Sequence, residues 1–199
     1  MKKRSIGFLV IFLLFTLPLA AHSGPAFDVV KERVNEVLNV LRNPALKGEA
    51  GKKAKKEKIS SISQEMFDFT ELSKRSLGQN WSKLSPEQQK EFTELYKSLL
   101  EDTYADKITT YTDEKLIFGK EIPLSHQTVE VRTTVVTQTS TIPINYRLIE
   151  ENGRWKVYDV VIEGVSLISN YRSQFREILA TKTPEALIET LRKKVSHGS

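Results

Sequence analysis

Cysteine is missing from all 199 residues. That excludes a disulfide framework, a thiolate metal site and the lipoprotein route, which acylates a cysteine just after an apolar leader. Histidine is nearly as scarce. The three present, His22, His126 and His197, are far apart, so no pair sits at i, i+3 or i+4 and no zinc or iron centre is expected. The chain also has no glycine-rich phosphate loop, no nucleophile elbow and no H-E-x-x-H. The excess of positive charge, formally +5, is mostly local. Without Lys2, Lys3 and Arg4, 27 Lys and Arg face 25 Asp and Glu, about +2 net. A body this close to neutral lacks the electrostatic footprint of a nucleic-acid binder.

Those three cations open a segment of a particular kind. A basic stretch at residues 2–4 precedes an uncharged apolar run at 5–19, and the small residues of Ala20-Ala21-His22-Ser23 follow. This is the pattern of a secretory signal, with cleavage possible after Ala20, Ala21 or Ser23. A permanent membrane anchor is the rival reading, for which the apolar run is short. The expectation is a signal at 1–23, cleaved, and a periplasmic protein at 24–199. That length suffices for one domain held by its core alone.

The periodicity changes once along this body. Phe27, Val30, Val34, Val37, Leu38 and Leu41 recur at helical spacing, and Asn43-Pro44 ends that helix. A lysine-rich run at 47–58 reads as a solvated loop or helix face, or as a docking patch for anionic headgroups or an acidic partner. Residues 59–78 predict one or two helices. Ser85-Pro86-Glu87-Gln88 is a capping box with proline at the first helical position. It opens a long helix with a stripe of Phe92, Leu95, Tyr96, Leu99, Leu100, Tyr104, Ile108 and Tyr111. After Asp113 the pattern alternates. Val129, Val131, Thr133 and Val135 share one face, and Ile142, Ile144, Tyr146 and Leu148 share another. Asn152-Gly153 joins the second run to 155–162 as a hairpin, and 115–122 adds a strand at one side. Two helices follow, one at 167–179 and one started by Thr183-Pro184. The prediction is α+β: a helical part at 25–112, an antiparallel sheet of about four strands at 115–162, and C-terminal helices at 166–195.

Strand 155–162 is apolar on both faces and so must be covered on both sides. Its one carboxylate, Asp159, has two readings. It is a general base in a sheet-lined pocket, or a buried acid satisfied by backbone donors or a nearby arginine. No second polar group clusters with it in sequence, which favours the structural role, and no enzyme is expected.

The residues around this strand carry a resemblance. "NGRWKVYDVVIEGVSLISNYRSQF" is similar to the signature of the MlaC (toluene-tolerance) family of periplasmic phospholipid-binding proteins, matching at Trp155, Tyr158, Asp159, Glu163-Gly164-Val165-Ser166 and Arg172. "FDFTELSKRSLGQNWSKLSPEQQKEFTELYKSLLEDTY" looks like the same family's helical half, with Leu77-Gly78, Trp81, Ser85-Pro86, Phe92 and Tyr104 in place. The turn before the last helix departs from the pattern: it reads Thr181-Lys182-Thr183-Pro184, where many members have glycines.

The resemblance implies a curved sheet of nuclear-transport-factor-2-like type with acyl tails held against helices. It further implies a monomer that carries phospholipid between an outer-membrane MlaA-type complex and an inner-membrane MlaD-type ABC transporter complex, with no cofactor beyond that cargo. Under this reading Val131, Val135, Tyr146, Val157 and Val161 line the cavity with Leu99 and Tyr104, while Ile168, Tyr171 and Phe175 close one end. Arg172 pairs with a headgroup phosphate or braces Asp159 or Glu163. The alternatives are a carrier of another apolar ligand, such as a hopanoid, and an enzyme on the same scaffold using Asp159.

Overall fold

The computed structural model describes residues 24–109 and 114–196. The signal at 1–23, Tyr111 and His197 lie outside the described residues. Within them, no helix is long and apolar enough to cross a membrane.

The helical half comprises α1 (Pro25–Arg42), α2 (Gly48–Met66), α3 (Phe69–Leu77) and α4 (Pro86–Thr109). Asn43 ends α1 with an extended backbone, and its side chain accepts a hydrogen bond from Ala45 N at 2.9 Å. The lysine-rich run forms the opening turns of α2. Gly51 in those turns is buried, and a Cβ there would lie 2.3 Å from the Leu46 carbonyl carbon, so only glycine lets α2 approach this closely. Residues 59–78 form parts of two helices because the chain docks on the sheet between them. Phe67 bridges to Val157, Asp68 N donates to Val157 O at 2.8 Å, and the Asp68 carboxylate caps α3 through Glu71 N at 2.8 Å. The capping box of α4 is reciprocal. Ser85 N donates to Gln88 Oε1 at 2.9 Å, and Gln88 N donates to Ser85 Oγ at 3.3 Å.

The sheet is an antiparallel meander in the order β1-β2-β3-β4-β5. Its strands are β1 (Lys115–Pro123), β2 (Thr128–Val136), β3 (Thr141–Glu151), β4 (Arg154–Ile162) and β5 (Val165–Ser166). Asn152 and Gly153 both have positive φ, 52° and 74°, as a two-residue hairpin whose twist matches the strands requires. Glu163 and Gly164 repeat this geometry at 51° and 84°. The sheet therefore has five strands where about four were expected. The stretch just after Gly164 is a second hairpin, and α5 (Leu167–Leu179) begins beyond it. The last helix, α6 (Pro184–Ser196), packs along α4, and Gln88 Nε2 donates to Glu185 Oε1 at 3.0 Å across that contact.

Both sheet faces are covered, which answers why β4 is apolar throughout. One face lies under α1, where Ala26 and Val30 pack with Met66 on Val129, Val131, Leu148, Val157 and Val160. On the other side Tyr158 joins a larger helical core of α3, α4, α5 and α6. A β-bulge makes this possible. Arg147 pairs with Asp159 but Leu148 pairs with Val157, leaving Tyr158 as an extra residue in β4. Alternation restarts there, so Val157 and Val160 share the α1 face while Asp159 and Val161 point the opposite way. The result is an α+β fold, helices against an open antiparallel sheet, compatible with the nuclear-transport-factor-2-like type.

Candidate functional site

Burial along the α1 face of the sheet is uneven. Val131, Leu148 and Val157 are completely buried. Further along, Val135, Ile142, Ile144 and Tyr146 keep part of their surface accessible, as do Phe118 on β1 and Val34 on α1. Register places these strand residues side by side on one face: Val131 opposite Tyr146, Thr133 opposite Ile144 and Phe118, and Val135 opposite Ile142. Tyr146 is the most informative of them. It is half-buried, and desolvation by the surrounding protein pushes its phenol up to about 12. The seam between α1 and the far end of the sheet is therefore the candidate site: apolar, sheet-floored and partly open.

Helix α1 is held over this face from the sheet's own edge. Its N-cap residue, Gly24, offers no side-chain cap. Instead the Glu121 carboxylate of β1 accepts from Phe27 N at 2.8 Å, supplying an anion where the helix dipole is positive. The rings of Phe27 and Phe118 meet edge to face at 5.9 Å. At the helical break there is a second, more polar concavity of about 320 Å³. Stacked Phe67 and Phe69 lie in its lining, with Lys97 and Lys156 among the flanking residues.

The ten residues expected to line one cavity divide between the two sides of the sheet. Val131, Val135, Tyr146 and Val157 share the α1 face, where Val135 and Tyr146 belong to the open end and Val131 and Val157 to the sealed core. Val161 is on the reverse face because of the bulge. Leu99, Ile168, Tyr171 and Phe175 belong to the helical core, and Tyr104 packs against it. There Tyr171 and Phe175 meet Tyr96 ring to ring at 5.0 and 5.1 Å. Burial raises the Tyr96 phenol far above its ordinary range, and Ser76 shares its hydroxyl hydrogen bond at 3.2 Å.

Asp159 is engaged by structure on both oxygens. Oδ2 accepts from Arg147 Nη1 at 3.2 Å and from Ser166 Oγ at 2.7 Å, and Oδ1 accepts from Ile168 N at 3.1 Å. The carboxylate thus ties β3 and β4 to the first turn of α5. Arg147 also donates to Glu130 at 3.3 Å, and Glu130 holds Arg132 at 3.2 Å, which completes a four-residue ladder across three strands. The sequence reading missed Arg147 and Glu130. Arg172 braces neither Asp159 nor Glu163: its Nε and Nη2 donate to Arg75 O at 2.9 and 2.7 Å, which locks α5 to the end of α3. Arg75 in turn covers the Tyr158 ring at 4.2 Å. Among the described residues no group of three or more His, Cys, Asp or Glu could hold a metal ion.

Known proteins are similar to this chain in sequence and in fold. The family model described as MlaC protein matches residues 31–193. The intermembrane phospholipid transport system binding protein MlaC of Haemophilus influenzae is 27% identical over 125 residues, spanning 60% of this chain and 58% of that protein. The toluene tolerance protein ttg2D of Pseudomonas putida is 25% identical over 175 residues, 87% of this chain and 81% of that one. A phospholipid-binding protein from Ralstonia solanacearum, solved in complex with a phospholipid, superposes with a TM-score of 0.77 at 25% identity, covering 88% of this chain and 99% of that structure.

Proposed function

This chain belongs to the MlaC family, and from that premise we propose that it is a periplasmic carrier which holds phospholipid acyl chains at the α1 seam and shuttles lipid between the outer and inner membranes. Its partners are an outer-membrane MlaA-type complex and an inner-membrane MlaD-type ABC transporter complex. One observation carries the cargo: a structure of matching fold over nearly its whole length was solved with a phospholipid bound.

Physical chemistry agrees with this role. A diacyl phospholipid exposes about 30 methylenes, each worth roughly 0.8 kcal/mol in water, so unassisted departure from a bilayer faces on the order of 20 kcal/mol. A carrier need only offer equivalent apolar surface, with no bond-making group. The half-buried residues Val135, Ile142, Ile144 and Tyr146 supply such a surface, and α1 can cover it. Asp159, which accepts on both oxygens, and Arg172, whose Nε and Nη2 donate to Arg75 O, serve the frame instead.

Filling the seam tests the assignment. A double Val135→Trp, Ile144→Trp variant puts two indoles where the tails would lie. The expected result is a folded protein whose co-purified phospholipid falls several-fold. A full lipid load in the folded double variant would place the cargo elsewhere.

A further inference from the structure

The lysine-rich opening of α2 lies apart from the residues of the α1 seam. Residues 47–58 contain six lysines (47, 52, 53, 55, 56 and 58) against Glu49 and Glu57, a net of +4, while residues 24–199 as a whole carry only about +2. The rest of the body is therefore net negative, and one short segment carries the positive excess. The start of the helix does not call for a cation: Lys47 stands at the N-cap position, where the helix dipole is already positive, and makes no side-chain cap.

We propose that this segment is an electrostatic docking surface for an anionic lipid bilayer. At about 100° per residue, Lys52, Lys53 and Lys56 fall within a ~100° arc of α2. Lys52 and Lys53 are exposed, and Lys56 is half-buried. Composition favours a membrane over an acidic protein. Every cation is lysine, a hydrated point charge suited to diffuse attraction, and none is the arginine that forms bidentate contacts across protein interfaces. The segment also has no aromatic or large apolar side chain to act as an interface anchor; its uncharged residues are Gly48, Ala50, Gly51 and Ala54. Such a surface would orient the protein at a headgroup layer and let it leave again, because it inserts nothing.

The inference rests on the carrier reading for its purpose but not for its measurement. The test is co-sedimentation of the mature protein with phosphatidylcholine vesicles, with and without phosphatidylglycerol, across a salt series. Binding is expected only with phosphatidylglycerol and should weaken as salt rises. Each lysine near an anionic leaflet contributes about fivefold, so a Lys52→Gln, Lys53→Gln, Lys56→Gln variant should bind on the order of 100-fold more weakly. The matching triple arginine variant should bind as the parent does. Equal binding to both vesicle types, absence of a salt dependence, or full binding by the glutamine variant overturns the proposal. So does indifference to all vesicles in a protein that captures an acidic polypeptide through the same lysines. Native mass spectrometry of the same samples reports the cargo separately: loss of vesicle binding with phospholipid retained sinks the docking surface alone, and vesicle binding without phospholipid sinks the carrier reading alone.

Discussion

Replacing Asp159 by alanine removes the tie between the sheet and α5, and the structure sets the size of the effect. The carboxylate is 2% exposed and accepts three hydrogen bonds, from Arg147, Ser166 and Ile168 N. Breaking a buried ion pair by deleting one partner costs about 3–5 kcal/mol. Here the lower end applies, because Arg147 keeps Glu130 at 3.3 Å and is not left alone. Loss of the acceptor for Ile168 N adds a fraction of a helix cap, about 0.5–1 kcal/mol. Asp159→Ala should therefore lose about 4 kcal/mol in urea unfolding. At about 2–4 °C per kcal/mol for a domain of this size, that lowers the melting temperature by roughly 8–16 °C. Asp159→Asn keeps one acceptor for Ile168 N and should lose about half as much. Phospholipid content should hold in whichever variant stays folded. A loss below about 1 kcal/mol for alanine would refute the structural assignment, and so would unchanged stability with abolished lipid capture.

Other perturbations probe different parts of the frame. Gly51→Ala forces a Cβ into the Leu46 backbone at 2.3–2.7 Å and should destabilise by about 2 kcal/mol or more in urea unfolding. Gly164→Ala puts a side chain at a φ of +84° with nothing within 4 Å, so the cost is backbone strain alone, about 1 kcal/mol by the same measurement. Tyr146 is raised by desolvation from 10.0 to about 12. Its contribution to stability is thus full below pH 10 and is lost as pH rises toward 12. Tyr146→Phe should accordingly lose less stability than the parent between pH 9 and pH 11, as followed by circular dichroism. Removing bound lipid by solvent extraction should lower the melting temperature, because emptying an apolar hollow destabilises its walls by about 24 cal/mol per Å³; an unchanged melting point would count against a filled seam.

Local chemistry was legible in the sequence where the partners are close along the chain. The Ser85 and Gln88 box, the Asn152-Gly153 hairpin and the shared face of Val129, Val131, Thr133 and Val135 all follow from neighbours a few residues apart. The break between α2 and α3 had such a signal too. Asp68 stands three residues before Glu71, the spacing of a cap. The bulge at Tyr158 had no local signal. Counting back from the Asn152-Gly153 turn places Arg147 opposite Tyr158, and only the inserted residue moves it to Asp159. The same residue sends Val161 away from Val157, although unbroken alternation puts them on one wall. Glu121 at the start of α1 is 94 residues from Phe27 in the chain, beyond any pattern in either segment. Core and cavity wall also share one composition, so sequence alone does not separate them; in the structure Tyr171 and Phe175 pack on Tyr96 within the helical core, at ring distances near 5 Å.

The carrier account is tested most directly by weighing the protein. Native mass spectrometry of the mature chain, freshly isolated without detergent, should show a dominant species heavier than the polypeptide by one phospholipid, which phospholipase treatment of the extract then identifies. A spectrum containing only the bare polypeptide, or an adduct with the mass of a polycyclic terpenoid, would contradict it.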